Sequence, residues 1–316
     1  QRWLKNCFVL APMTSRPALA ALLAAGAALI VVLELRQRRR RRLRRKPPLQ
    51  EVPRAEAAIE AAQTPALVPR KTATGGRHLA IDEIRLISRC KDLLVFDKPY
   101  DCRLDGESEE PTVERAAKHV QPDLDKIRFV NQLDYATSGL LVLGRTKLGA
   151  REASQCFEKR TSVKYYLAIG HNHCHRDGVF RIDARVCAVE GDFRMALVND
   201  RPAAGYGHHG GPATTLALCL AHGEIAGKSA SVFMLRPLTG RRHQLRLHMT
   251  SIGHPVMGDA TYSPVDATGR CVERMMLHAW RLELPLRAGE RLFQTPEPFS
   301  QYLPGDWPSH LLDAVE

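Results

Sequence analysis

Short apolar runs with the period of β-strands fill the chain from residue 93 onward, and two segments among them have helical spacing. The continuous apolar run 139–144 is typical of a strand that is buried on both faces, whereas apolar residues recur at helical intervals in segment 148–160. Strands and helices do not alternate regularly, so we predict an α+β fold with a large mixed sheet. The other predicted strands are 93–99, 164–169, 214–220, 229–235 and 277–286, and the second predicted helix is 241–252.

The N-terminal residues follow a different pattern. Residues 17–33 carry no charge, and the block 36–46 that follows is almost entirely arginine and lysine. A membrane anchor, a targeting peptide and a soluble hydrophobic helix all contain such a run. An anchor would leave the large domain on the cytosolic or organelle-interior side of a membrane, whereas a presequence would direct it to a mitochondrion or plastid. Met13 is a further candidate for the initiator.

Composition divides the chain into three parts. Residues 1–46 contain the hydrophobic segment and the arginine block, residues 47–76 are rich in Pro, Ala and Gly and predict a linker, and residues 77–316 have a globular pattern. The net charge of the chain is +12, and residues 1–46 hold +11 of it. The globular part is therefore almost neutral, so any surface on it that binds a polyanion must be a local patch. Segment 17–46 is a candidate for membrane contact.

Asp134 is the only acidic residue in the stretch 130–147, and the apolar run 140–143 follows it closely. A carboxylate beside a core segment is costly to bury unless a cation or a hydrogen-bond donor pairs with it. Considered alone, an aspartate at this position is also typical of a turn. A functional interpretation of Asp134 therefore depends on the motifs around it.

Three stretches together resemble the RluA-type pseudouridine synthases. They are NQLDYATSG at 131–139, VKYYLA at 163–168, and RPLTGRRHQLRLHMTSIGHPVMGDATY at 236–262. Their counterparts in the family are HRLDxxTSG, KxYxA, and GRxHQLRxH followed by GHPxxGDxxY, and the wording is closest to the eukaryotic RNA pseudouridine synthase domain-containing group. The resemblance covers residues 82–300. It implies the pseudouridine synthase catalytic fold, with a central cleft flanked by helices.

The same resemblance implies an isomerase that converts uridine in RNA to pseudouridine, with RNA as its partner and no metal or organic cofactor. Asp134 matches the family's nucleophile, and Tyr166 matches the tyrosine that lies against the flipped base. Arg246 matches the arginine that pairs with the aspartate, and we expect it to grip Asp134 in two places and keep it ionised. On the predicted helix Arg246 shares a face with Arg242. We expect the protein to be a monomer.

Residues flanking the matched positions are predicted to contact the substrate. Segment 239–243 is expected to open the second helix, where free backbone N–H groups and two arginines suit an RNA phosphate; an ordinary helix cap is the alternative. The predicted substrate-binding residues are Gln132, Leu133, Thr137, Ser138, Gly139, Lys164, Thr239, Gly240, Arg241, Arg242, His243 and Gln244.

Asn131 and Gln132 stand where the wider family has His and Arg. The family arginine is associated with pushing the target base out of a helix, and Gln132 brings no charge to that task. A base in an unpaired loop costs less to extrude, so this departure favours loop substrates. It also leaves open an alternative, a catalytically weak RNA-binding protein on the same scaffold.

Two histidine-rich stretches raise a third possibility, a metal-dependent hydrolase. They are HNHCH at 171–175 and GHHGG at 207–211. Their spacing matches no strong zinc pattern, so surface histidines are the favoured interpretation. We therefore predict no metal site.

Overall fold

The computed structural model describes residues 50–51, 78–198, 210–266 and 271–314. The hydrophobic segment, the arginine block, most of the predicted linker and the histidines of GHHGG lie outside the described residues, so the interpretations placed on them stay predictions. Within the described part of the chain, no helix has both the length and the apolar character needed to cross a bilayer.

Eleven strands of the described residues form one sheet. The strands are β1 (Gln50–Glu51), β2 (Arg85–Arg89), β3 (Leu93–Lys98), β4 (Ser138–Gly144), β5 (Val163–His171), β6 (Val179–Ala188), β7 (Met195–Val198), β8 (Gly211–Ile225), β9 (Lys228–Pro237), β10 (Leu277–Leu286) and β11 (Gly289–Gln294). Across the sheet the order is β1-β6-β8-β9-β5-β10-β4-β3-β2, with β7 paired to β6 and β11 paired to β10. The pairs β1–β6 and β4–β10 are parallel, and the other pairs are antiparallel.

Three α-helices occur in the same residues: α1 (Val113–Val120), α2 (Lys147–Glu158) and α3 (Gln244–Ser251). The hydroxyl of Thr112 accepts a hydrogen bond from the N–H of Arg115, and the hydroxyl of Thr146 accepts one from Gly149, which explains where α1 and α2 begin. Short 3-10 helices cover Ile81–Glu83 and Trp307–His310. A mixed sheet with separate helices confirms the predicted α+β class.

The prediction for the second helix is wrong at its start. Helix α3 begins at Gln244 and not at Arg241, because His243 has a left-handed backbone with φ 57° that a right-handed helix does not continue through. Arg242 therefore precedes the helix, and the face that it was expected to share with Arg246 does not exist. Of the eight residues of α3, all except Thr250 are buried.

Two clusters of the hydrophobic core meet at Tyr166 on β5. One cluster lies around β5, β9 and α3, and the other lies around β3, β4 and α1; Tyr166 packs against both. Its neighbour Tyr165 points into the first cluster, as the alternation of a strand requires. The sheet therefore presents Tyr166 at a junction between two packed regions.

The parallel contact between β4 and β10 depends on Gly139. Gly139 pairs with Ala279 and has φ 110°. A Cβ atom at this position would lie 2.6 Å from the backbone nitrogen of Ala279, which is far inside van der Waals contact. Only glycine permits this close approach of the two backbones.

We expect Gly139→Ala to lower the free energy of unfolding by about 3 kcal/mol or more, because backbone strain at positive φ adds to the clash with β10. Gly106→Ala is the matched control, since Gly106 also has positive φ, 86°, but has no atom near its hypothetical Cβ. The control should cost about 1 kcal/mol. Urea denaturation of both variants measures the difference, and equal losses would contradict the role assigned to the contact.

Candidate active site

A cleft of about 1020 Å³ opens beside the turn that precedes β4. Asp134 in this turn, Tyr166 on β5, Arg246 on α3 and the segment 237–243 all line it. The three residues predicted to act together are thus brought to one cleft from elements that are distant in the sequence. The geometry of the cleft decides what each of them can do.

A buried lysine holds the turn that carries Asp134 by hydrogen bonds to backbone carbonyls. The ammonium group of Lys98 is fully buried and donates three hydrogen bonds, to the carbonyl oxygens of Pro99 (3.0 Å), Cys102 (3.0 Å) and Tyr135 (2.9 Å). Burial lowers the pKa of Lys98 to about 8. The carbonyl of Asp134 itself accepts a hydrogen bond from the N–H of Thr137 at 3.1 Å. These bonds fix the backbone while the carboxylate of Asp134 stays 26% exposed to the cleft.

Arg246 joins Asp134 to a second carboxylate. Its Nη1 donates to Oδ2 of Asp134 at 3.1 Å, while Nε and Nη2 each donate to Asp259 at 2.7 Å. The two-point grip expected on Asp134 is therefore on Asp259, and Asp134 receives a single N–H. Burial acts to lower the pKa of Arg246, but the charges of Asp259 and Asp134 outweigh it and hold this pKa above its usual value. The guanidinium is a permanent cation.

His243 lies near Oδ1 of Asp134, the carboxylate oxygen that Arg246 does not bond. Burial lowers its pKa to about 4, so the ring is neutral near pH 7. Its Nδ1 lies 2.6 Å from the hydroxyl of Tyr262, and that hydroxyl accepts the N–H of Met195 at 2.7 Å. The phenol can therefore give its own proton to Nδ1, which leaves Nε2–H directed at Oδ1 of Asp134, 3.8 Å away.

Tyr166 presents its side chain to the same cleft. Burial raises the pKa of Tyr166, and the nearby charge of Asp134 raises it further. The phenol is therefore neutral across the physiological range and keeps its proton. Lys164, two residues earlier on β5, also lines the cleft, with its ammonium 5.7 Å from the ring centroid of Phe157. Burial and then the charge of Arg160 lower the pKa of Lys164.

Most of the predicted substrate-binding residues line the cleft, and two do not. Ser138 is buried and bonds to His278, with 2.7 Å between its Oγ and Nδ1, and to the guanidinium of Arg274. Gly139 faces β10. The residues of the prediction that do line the cleft are Gln132, Leu133, Thr137, Lys164, Thr239, Gly240, Arg241, Arg242, His243 and Gln244.

Segment 239–243 precedes α3 and does not open it, and one of its backbone N–H groups is already engaged. The Oε1 atom of Gln244 accepts the N–H of Arg241 at 3.0 Å and the hydroxyl of Thr239 at 2.7 Å. The same amide donates to the carbonyl of Thr214 at 3.0 Å, so Gln244 and Thr239 brace this segment against β8. The side chains of Arg241 and Arg242 remain exposed beside the cleft.

The two departures from the family motif have separate roles. Asn131 bonds to β4 in both directions, accepting the N–H of Val142 at 2.8 Å and donating to the carbonyl of Leu140 at 3.3 Å. Gln132 is exposed and lines the cleft. Asn131 is thus part of the scaffold, while Gln132 is free to meet a ligand.

Sequence reasoning missed several groups of the site. Asp259 and Tyr262 belong to the GDATY stretch that the family motif includes, but nothing in their spacing indicated which side chains they would meet. Lys98 lies in a strand whose sequence is typical of an ordinary core strand. Phe193, which is 54% exposed and lines the cleft, stands between β6 and β7 without any motif around it.

Comparison with known proteins finds relatives over most of the chain. Residues 92–251 match the family described as RNA pseudouridylate synthase. The chain is 33% identical over 253 residues to the mouse RNA pseudouridylate synthase domain-containing protein 1, and this match covers 75% of the chain and 80% of the mouse protein. It is 32% identical over 186 residues to the dual-specificity RNA pseudouridine synthase RluA of Escherichia coli, and this match covers 57% of the chain and 78% of the bacterial protein.

The solved structure of human RNA Pseudouridylate Synthase Domain Containing 1 has the same fold. It is 33% identical to this chain with a TM-score of 0.62, and the match covers 71% of this chain and 87% of the human chain. Sequence and structure thus point to the same group of proteins.

We expect Asp259→Asn to lower the free energy of unfolding by about 3 kcal/mol, because it leaves a buried guanidinium without its main partner. Asp134→Asn is the matched control: it removes one hydrogen bond from a partly exposed group and should cost about 1 kcal/mol or less. Chemical denaturation monitored by tryptophan fluorescence measures both. A control that is as destabilised as Asp259→Asn would contradict the unequal sharing of Arg246.

Proposed function

The chain belongs to the RNA pseudouridylate synthase family and is an isomerase that converts uridine in RNA to pseudouridine, and we propose that Asp134 is its nucleophile. The observation that carries this proposal is the single bond between Asp134 and Arg246. Because Asp259 occupies the rest of the guanidinium, Oδ2 of Asp134 receives one N–H from it, and Oδ1 lies 3.8 Å from Nε2 of His243. Arg246 thus engages Asp134 through a single N–H, so a cation lies close to the carboxylate without gripping both of its oxygens.

The reaction requires three things of the protein. A nucleophile must attack the ribose or the uracil ring so that the bond between base and sugar can break, and the carboxylate of Asp134 is such a group. The freed base must stay in the cleft while it rotates and bonds through carbon. Finally, the proton on that carbon must leave. No step in this sequence calls for a metal ion or an organic cofactor.

Tyr166 is placed to hold the base and to carry its proton. Its ring lines the cleft beside Asp134, so a flipped uracil can stack on it. Burial and the charge of Asp134 keep its pKa high while the carboxylate is anionic. Once Asp134 has given its charge to a covalent bond, the second of these contributions disappears. The phenol then becomes easier to deprotonate, so it can give its proton to the ring nitrogen released from the sugar, and the phenolate can take the proton from the carbon that bonds to the sugar as the carboxylate of Asp134 is released.

The RNA substrate is proposed to present its uridine in an unpaired region. Gln132 reaches the cleft without a charge, and the cations beside it, Lys164, Arg241 and Arg242, can meet phosphates. Phe193 offers an exposed ring on the same cleft for a neighbouring base. These groups favour a splayed single strand over a duplex.

We expect Asp134→Asn to abolish pseudouridine formation, by more than about 10³-fold, because an amide is not an anionic nucleophile. Asp125→Asn, in an exposed aspartate paired with Arg128, is the control and should retain full activity. Pseudouridine maps of RNA from cells that carry each variant in place of the wild-type gene measure the effect and identify the target. If no site depends on the gene, the alternative of a catalytically weak RNA-binding protein replaces this proposal.

We expect Tyr166→Phe to lower kcat by about 10² or more with little change in KM, since the ring is kept and only the proton carrier is lost. Tyr166→Leu should lower kcat similarly and also raise KM, because it removes the stacking surface. Steady-state kinetics on a target RNA separate the two roles. Wild-type kcat in Tyr166→Phe would exclude proton transfer through the phenol.

A further inference from the structure

Three histidines meet on the surface at the end of β5 that is remote from Tyr166. His173 and His175 lie in the segment that follows β5, and His222 lies near the end of β8. Their ring centroids are 5.6 Å apart for His173 and His222, 6.2 Å for His175 and His222, and 6.5 Å for His173 and His175. The HNHCH stretch predicted only surface histidines, because nothing in the sequence indicated that His222 would join them.

Hydrogen bonding fixes which nitrogen of His222 carries the proton. Nδ1 of His222 lies 3.1 Å from Oγ of Ser231. That hydroxyl has one proton, which it donates to the carbonyl of Asn172 at 2.9 Å, and it already accepts the N–H of Cys174 at 3.0 Å. His222 must therefore be the donor through Nδ1–H, and Nε2 keeps its lone pair.

The same reasoning applies to His173. Its Nε2 lies 3.0 Å from the carbonyl oxygen of Gly223, which can only accept, so Nε2 carries the proton and Nδ1 keeps a lone pair. A histidine that donates one ring N–H to a protein oxygen and turns its other nitrogen outward is the arrangement found in metal ligands. Both His173 and His222 donate one ring N–H to a protein oxygen in this way.

The three rings are neighbours but are wider apart than the ligands of a bound ion, and within the described residues they are not among the groups whose ligand atoms all lie within 4.8 Å of one another. Zinc–nitrogen bonds of about 2.0–2.1 Å in a tetrahedral site place two ligated ring centroids roughly 5 Å apart. The three separations exceed this by amounts that exposed side chains can close by small rotations. Cys219, with Sγ 3.8 Å from Nδ1 of His222, adds a thiol to the same surface.

We propose that His173, His175 and His222 bind one divalent transition-metal ion, with zinc as the best fit to three imidazoles. The ion would tie the segment after β5 to β8, on the far side of β9, and would act on the stability of this end of the sheet. It would take no part in the chemistry at Asp134. Imidazole ligands suit Zn²⁺, Ni²⁺ and Cu²⁺ and discriminate against Mg²⁺ and Ca²⁺.

A second cluster, His171, Asp266 and Cys271, has ligand atoms within 4.8 Å of one another but is less suited to a metal. The carboxylate of Asp266 already accepts hydrogen bonds from the N–H of Gly258 and the hydroxyl of Ser263, and its Oδ2 lies 2.7 Å from Nε2 of His171. These three groups occupy Oδ2, and Oδ1 accepts the N–H of Cys271 at 3.3 Å, so both oxygens that an ion would need are engaged. The cluster is a buried hydrogen-bond network in which the carboxylate of Asp266 has its partners, and Cys271 in it supplies a control for the experiment.

Isothermal titration of Zn²⁺ into the full chain, with any affinity tag removed, tests the proposal. We expect one ion per chain, a loss of affinity of about tenfold or more in His222→Ala and in His175→Ala, and unchanged binding in His310→Ala and Cys271→Ser. Zinc should also raise the melting temperature of the wild type by about 5 °C at saturating concentration and should not raise that of His222→Ala.

Zinc binding that survives in His222→Ala would overturn the proposal, and its loss in Cys271→Ser alone would assign the ion to the other cluster. Absence of stoichiometric binding to the wild type would also overturn it. Pseudouridine formation by His222→Ala should equal that of the wild type, so this test is independent of the role proposed for Asp134.

Discussion

The buried guanidinium of Arg246 holds two carboxylates at the floor of the cleft, and the rest of the site is arranged around this unequal sharing. Asp259 takes two of its N–H groups at 2.7 Å each and is almost fully buried, whereas Asp134 takes one at 3.1 Å. Two anions and one cation leave a surplus negative charge, and only Asp134 is open to the cleft. The pair with Asp259 orients the arginine, and the arginine in turn orients Asp134.

Two other groups hold the same aspartate in place. Lys98 bonds to the carbonyl of Tyr135, the residue that follows Asp134, and His243 lies 3.8 Å from Oδ1 of Asp134, the carboxylate oxygen that Arg246 does not bond. The backbone N–H of Met195 supports His243 through Tyr262, so a strand next to the exposed ring of Phe193 is joined by hydrogen bonds to the side chains around Asp134. A surface that can meet RNA is thereby connected to the proposed nucleophile through a few polar contacts.

The sequence predicted the fold class and the principal strands, because hydrophobic period is a local property of the chain, and its resemblance to a known family implied the meeting of Asp134, Tyr166 and Arg246. It failed where tertiary contacts decide the outcome. Gln132 and Ser138 belong to the same motif, but β4 turns Ser138 away from the cleft toward Arg274. The start of α3 was misplaced because no local pattern in the sequence indicated that His243 would have a left-handed backbone. No pattern in the sequence indicated that Asp259 would occupy most of Arg246.

The parallel pairing of β4 with β10 has a consequence for how the molecule is made. Ser138 pairs with His278, and 140 positions separate them along the chain. Closing so long a loop has an entropic cost, and the pairing cannot form before residue 278 has been synthesised. A nascent chain leaving the ribosome therefore carries Asp134 well before β4 has its parallel neighbour. The completed sheet beside the cleft has to wait until synthesis has passed β10.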